Sequence, residues 1–327
     1  MERTEVCLTV DTEFSIHGAF GDPARRQPLG DVFVYGAGED GREHGLGFLL
    51  DCLARHGLKA TFFVEALNRC YFGDEPMGRV ARRIVEAGQD AQLHTHPAWL
   101  YFRSPTWQQD LGHRKPNDSL AGRPPEEIRE CVALGLAAFE AWGVPRPVAL
   151  RTGSLRADRA LYDALPGAGI RLTSNLGVGY HRPPEPELDL RGGRHRIGQV
   201  VEVPVLTYGA LGGRDRILTV TGTGAAEARA LLAAARRARV SPVVVLTHPF
   251  EFFKGVERVR PNRVNQARLD RLCGFLARHA EEFHVTTFAE AAPRWLEGPP
   301  TGNPRLEAPL LAQLARALSN RWNDLFR

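Results

Sequence analysis

Apolar and polar positions along the chain fall into two alternating rhythms. Short runs rich in Val, Leu, Ile, Phe and Thr read as strands at 6–14, 59–66, 91–96, 147–152, 172–175, 200–208, 243–247 and 284–287. Between them, apolar residues recur at three- and four-residue spacing, which predicts helices at 45–56, 78–87, 126–142, 158–165, 224–239 and 265–283. Gly57, Gly88 and Pro97 stand where those elements should stop. Strands separated by helices over most of the length argue for a parallel sheet, and seven or eight such units predict an α/β fold of the distorted (β/α)7-8 barrel kind. Residues 1–296 read as one barrel domain. A Gly/Pro-rich joint then opens a 297–327 extension, whose leucines recur at helical spacing. That C-terminal helix is expected to pack on the barrel or on a second copy of the chain, as a homo-oligomer contact.

The period of two within strands brings chemistry together. Side chains at i and i+2 point the same way, so Asp11 and Glu13 share one face at the end of the first strand. His94 and His96 do the same at the end of the third, just before Pro97. In barrels of this kind the working residues sit at the C-terminal ends of strands, where Asp11, Glu13, His94, His96, Arg151 and His248 all fall. Two imidazoles and a carboxylate suit one divalent ion, Zn first, with Fe, Co or Ni compatible with the same donors. Such an ion keeps positions open for water and an acyl oxygen, and hydrolysis then needs a base and an acid nearby.

Composition narrows the partners. The 42 basic and 38 acidic residues leave a formal charge of +4 spread along the chain, without the dense basic tract of a nucleic-acid binder. Cys7, Cys52, Cys70, Cys131 and Cys273 are odd in number and mostly embedded in apolar segments, which predicts reduced core thiols. With neither a signal-like N-terminal segment nor a membrane-spanning run, the expected location is cytoplasmic.

Five motifs in order then resemble the polysaccharide deacetylases with a NodB-homology domain, carbohydrate esterase family four. LTVDTEF is similar to that family's first acidic motif and KATFFVEA to the strand after it. GQDAQLHTHP is similar to its histidine motif, ALRTGS to its Arg motif, and VVLTHP to its closing Leu-x-His motif. The resemblance runs over roughly residues 5 to 290. It implies a metal-dependent hydrolase acting on carbon–nitrogen bonds, a deacetylase removing an N-acyl group from a sugar or glycan precursor. It further implies Asp11 as base, Arg151 as the partner orienting it, and His248 as general acid. Glu13, His94 and His96 would be ligands, and the backbone N–H near Ser154 an oxyanion donor. Family members usually have two adjacent Asp residues and histidines four apart, whereas here Thr12 separates Asp11 from Glu13 and the histidines are two apart. The Arg motif also lacks its usual Pro. These departures resemble a divergent branch that includes the WbmS-like proteins.

Several assignments stay open on the sequence. Asp11 and Glu13 can exchange roles, His248 can be a third ligand, and Arg151 can be a structural ion-pair partner. Trp99 and Arg103, with His17, Tyr101 and His113, fall in loops on the expected rim and suit a sugar carrying a phosphate or uronic group. Two rival functions remain. One is an amidohydrolase-type enzyme, which normally carries its His-x-His pair on the first strand rather than the third. The other is a non-catalytic sugar- or metal-binding relic of the barrel.

Overall fold

Alternation along the strands sorts the side chains into two layers. The structure, a computed structural model, describes residues 2–111 and 116–325. In the first strand, Thr4–Thr12, the even positions Val6, Leu8 and Val10 join a large core between sheet and helices, with Phe62, Val64, Leu93 and Leu150 from neighbouring strands. Cys7 points the other way, into a smaller core with Phe63, Ala149, Leu172, Val201, Val203, Val205 and Val244. A sheet apolar on both faces needs helices outside and a closed interior inside, which is the logic of a barrel.

Across the sheet the order is Val243–Thr247, Thr4–Thr12, Thr61–Glu65, Asp90–Thr95, Ala149–Thr152, Leu172–Thr173, Val200–Glu202 and His195–Ile197. All neighbours run parallel except the last pair. A further strand, Phe283–Val285, pairs with the start of Thr4–Thr12. The far edge curls back to the beginning: Leu206 N–H donates to Val244 O, and Leu246 exchanges bonds with Leu218 and Val220. The expected distorted barrel is thus present as a curled α/β sheet.

The long strand expected at 200–208 is broken. Pro204 lacks a backbone donor, and the chain leaves the main sheet after Glu202. Thr207–Gly209 instead forms a small second sheet with Asp215–Ile217 and Leu306–Glu307. Glu202 anchors the break: fully buried, it accepts hydrogen bonds from Tyr162, Thr173 and the N–H groups of Asn175 and Leu176. The C-terminal helix, Leu310–Leu325, docks beside that second sheet. Arg316 pairs with buried Glu227 at 2.8 Å, and Gln313 accepts from Leu211 N–H, while Leu311 and Leu318 remain exposed. Among the described residues no helix is long and apolar enough to cross a membrane. All five cysteines are free, four of them buried.

One packing contact bears on the strand that carries the histidines. Gly135, in the helix Pro125–Trp142, faces Leu93 so closely that an added Cβ would lie 2.6 Å from Leu93 Cδ1. Leu93 is fully buried and has nowhere to move. Gly135→Leu is expected to cost about 1–3 kcal/mol by overpacking, read by denaturant unfolding. Adding Leu93→Ala should recover part of that loss, whereas additive losses in the double variant would show that the two positions do not press on each other.

Candidate metal centre and active site

Each strand changes character along its inward row. The first strand's row runs Cys7, Thr9, Asp11 and continues to Glu13 just past the strand end, apolar at the bottom and ionisable at the top. Glu65 stands opposite His94 in register, and His94 stands opposite Arg151. Parallel strands that end together therefore bring four ionisable side chains from four strands to one rim, with His248 just beyond Val243–Thr247.

Arg151 lies beneath the site with no solvent exposure. One Nη donates to Asp11 Oδ1 at 2.6 Å and to Thr9 Oγ1 at 2.9 Å, while Nε and the other Nη donate to the carbonyl and hydroxyl of Ser174. Its guanidinium stacks over Phe63, 4.2 Å from the ring centre. Every face of the buried cation is answered.

The two histidines are oriented by different partners. His94 Nδ1–H donates to the backbone carbonyl of Arg151 at 2.8 Å, which turns Nε2 toward the site. His96 Nδ1–H donates to Asp118 at 2.7 Å. Both Nε2 atoms then face Glu13 Oε2, at 3.6 Å from His94 and 2.7 Å from His96, with the rings nearly perpendicular. Asp11 Oδ2 stands 4.0 Å from His94 Nε2. Burial works against charge on Glu13 and His96, and their mutual attraction outweighs it. The Glu13 carboxyl is held well below its usual range and the His96 imidazole well above.

One donor atom each from Glu13, His94 and His96 lies within 4.8 Å of the others, a carboxylate and two imidazoles whose second nitrogens are already tied down. This donor set fits a divalent ion of the Zn type, and the outer hydrogen bonds are of the kind that orient metal-binding imidazoles.

Three residues not singled out on the sequence hold this arrangement. Asp118 comes from a loop without periodic pattern. Glu65, whose carboxyl is pushed up to about 8 by burial, accepts from the N–H groups of Leu67, Asn68 and His96. Its signal was an acid at the end of an apolar strand, the same signal as Asp11. Gly153 leaves room for His96: a Cβ there would meet the imidazole at 2.5 Å. Beyond it Ser154 and Leu155 take left-handed φ values of 59° and 49°, an arrangement costing about 1–3 kcal/mol per residue.

A cavity of about 690 Å³ opens over the cluster. Asp11, Glu13, His94, His96, Ser154 and His248 line it together. Trp99 and Arg103 do not. The Trp99 ring is buried against Phe72 and Phe102, because the short helix after Pro97 turns it inward, and Arg103 pairs with Glu130 on a neighbouring face. His17 and Tyr101 are likewise absent from the lining, and His113 lies outside the described residues. The opposite wall comes instead from Tyr180, Arg214, Arg216 and Phe250, with Gln313 and Arg316 of the C-terminal helix.

His248 stacks on Phe250, and its Nδ1 sits 3.6 Å from Glu251, an ion-pair distance rather than a hydrogen bond. Burial disfavours the imidazolium, but Glu251, reinforced by Asp11 and Glu13, overcomes that penalty and raises its pKa to about 9.

No family model matches the chain, and neither does any curated protein. Solved structures do. One described as a "putative polysaccharide deacetylase from Mycobacterium smegmatis" aligns over 91% of this chain and 94% of its own, at 20% identity and a TM-score of 0.53. A 4-alpha-glucanotransferase from Thermococcus litoralis aligns over 94% of this chain at 12% identity and a TM-score of 0.52, the match spanning 42% of the larger protein. A family 4 acetyl xylan esterase from Clostridium thermocellum, in complex with a cobalt ion, aligns over 88% and 89% of the two chains at 16% identity and a TM-score of 0.44. At such identities the likeness to the first two is one of fold: this chain shares the curled α/β architecture of the mycobacterial protein along nearly its whole length.

Proposed function

We propose that the chain is a metal-dependent hydrolase of the polysaccharide deacetylase kind, which removes an N-acyl group, acetyl first among them, from a sugar or glycan precursor. The observation carrying this reading is the convergence of His94 Nε2 and His96 Nε2 on Glu13, with the Asp11–Arg151 pair beside them and His248 across the same cavity. The shared fold with the mycobacterial protein supports it. The two-residue histidine spacing and the Asp-Thr-Glu motif set the chain in a divergent branch, for which the WbmS-like proteins are our candidate.

Glu13, His94 and His96 would hold the ion, Zn by preference. When bound, such an ion makes water acidic near neutral pH and polarises an acyl oxygen. Asp11 keeps one oxygen on Arg151 and leaves Oδ2 toward the cavity, where it can take a proton from the attacking water. His248, held protonated, can return a proton to the departing amine. Ser154 is our candidate to present a backbone N–H to the acyl oxygen. Glu13 is the better ligand than Asp11 because it is nearer both imidazoles and is not engaged by Arg151.

The cavity wall indicates the substrate class. Arg216 bonds the Gly222 carbonyl through one Nη but leaves its buried Nε without an acceptor, and exposed Arg214 and Tyr180 line the same cavity. A wall with both arginines and aromatic rings suits an acyl sugar that also carries a phosphate or carboxylate.

Purified protein should contain or take up one Zn at this site and release acetate from an N-acetyl sugar. Asp11→Asn should keep the metal and lose activity by about 10²–10⁴-fold. An Asp11→Asn protein that binds no metal would make Asp11 a ligand, and a metal-loaded native enzyme inactive on a broad panel of acyl sugars would end the proposal. Asp118→Asn should weaken metal affinity by about 10–100-fold without unfolding the chain, measured by competition with a chelating dye. Activity should fall as pH rises through the pKa of His248, at or below about 9, because the raised pKa keeps the acid protonated below it. Glu251→Gln should move that alkaline limb to lower pH. Arg214→Ala should raise KM several-fold for an anionic acyl sugar, on the order of 1 kcal/mol, and leave a neutral one unaffected.

A further inference from the structure

A second cluster of metal-binding side chains lies on the outside of the barrel, between two helices. Cys52 sits in the helix Leu46–Arg55 and His56 caps it, one turn apart on the same face. Asp270 and Cys273 are three apart on the facing helix, Arg263–Arg278. One donor atom each from Cys52, His56 and Asp270 lies within 4.8 Å of the others, and Cys273 neighbours Cys52 outside that group. His56 Nε2 stands 3.0 Å from Asp270 Oδ1, and Arg55 bonds the same oxygen at 2.6 Å.

The surroundings suit a cation that enters from solvent. Both thiols are fully buried, His56 is partly exposed and Asp270 nearly half exposed, so the cluster runs from a soft interior end to a hard outer one. Gly274 makes room for the imidazole: a Cβ there would come within 3.2 Å of His56 Cε1. Arg55 on the carboxylate would serve as an outer partner holding Asp270 in place.

We propose that Cys52, His56 and Asp270 form a second, structural site for a thiophilic divalent cation of the Zn class, clamping the two helices. One sulfur, one nitrogen and one oxygen match that ion's preferences, with water free to take a fourth position, whereas Mg or Ca would want oxygens alone. The cluster is remote in kind from the Glu13–His94–His96 centre, which contains no sulfur. The proposal is therefore independent of the catalytic reading.

That difference in sulfur content makes the test specific. Co²⁺ added to the reduced full-length chain should produce a near-ultraviolet thiolate-to-cobalt absorption, and His94→Ala/His96→Ala should retain it. Cys52→Ser should abolish it, with far-ultraviolet circular dichroism checking that the variant is folded. Asp270→Asn, at a half-exposed position that threatens the fold less, should weaken Co²⁺ binding measured by the same band. Chelation should lower the melting temperature of the His94→Ala/His96→Ala protein but not that of the same protein carrying Cys52→Ser. Cobalt binding without a thiolate band, a band that survives Cys52→Ser, or a Cys52–Cys273 disulfide in freshly purified protein would each overturn the proposal.

Discussion

A guanidinium with no access to water must be surrounded by oxygens, and the upper half of this barrel is arranged around that requirement. Arg151 ties the first strand through Thr9 and Asp11 to the segment after the fifth through Ser174, across the interior and over the Phe63 ring. Leaving such a cation unpaired costs several kcal/mol, so these partners cannot drift independently. The same residue's carbonyl receives His94 Nδ1–H and thereby turns His94 Nε2 toward Glu13. The charge balance of the core and the orientation of the candidate ligand are one structural fact.

The two-residue histidine spacing looks at first like a geometric handicap, since both rings must leave one strand toward one point. The structure answers it by treating the residues differently. His94 is inside the strand and takes its orientation from the adjacent strand's backbone. His96 lies just past the strand end in an extended conformation, where Asp118 holds its ring, Glu65 holds its N–H and Gly153 stands clear of it. The perpendicular rings are the result. Asp118, which lies 22 positions from His96 in sequence, is as much a part of the arrangement as the imidazole itself.

Much of the fold was legible in the chain, because strand and helix periods reflect local geometry and each strand repeats the same inside–outside alternation. Asp11, Glu13, His94, His96, Arg151 and His248 could be gathered at one rim from their positions at strand ends alone, and Ser154 entered through the family resemblance. Trp99 and Arg103 could not be placed, since a residue in a loop has no period to say which way it faces. The cavity's opposite wall was invisible for a related reason: it depends on Pro204 ejecting the chain from the main sheet and on Gln313 and Arg316 arriving from the last helix.

By itself, then, the sequence determined the alternation that makes an α/β barrel and the row of acids and imidazoles at its rim, because both follow from short-range repeats of two and of three to four residues. Tertiary structure alone decided which groups touch: that Arg151 takes Asp11 and leaves Glu13 to the imidazoles, that Asp118 and Glu65 stand behind His96, and that arginines from distant segments face the site. Hydrogen bonds and ion pairs act over a few ångströms, and residues such as Asp11 and Arg151, 140 positions apart, acquire that distance only when the sheet closes.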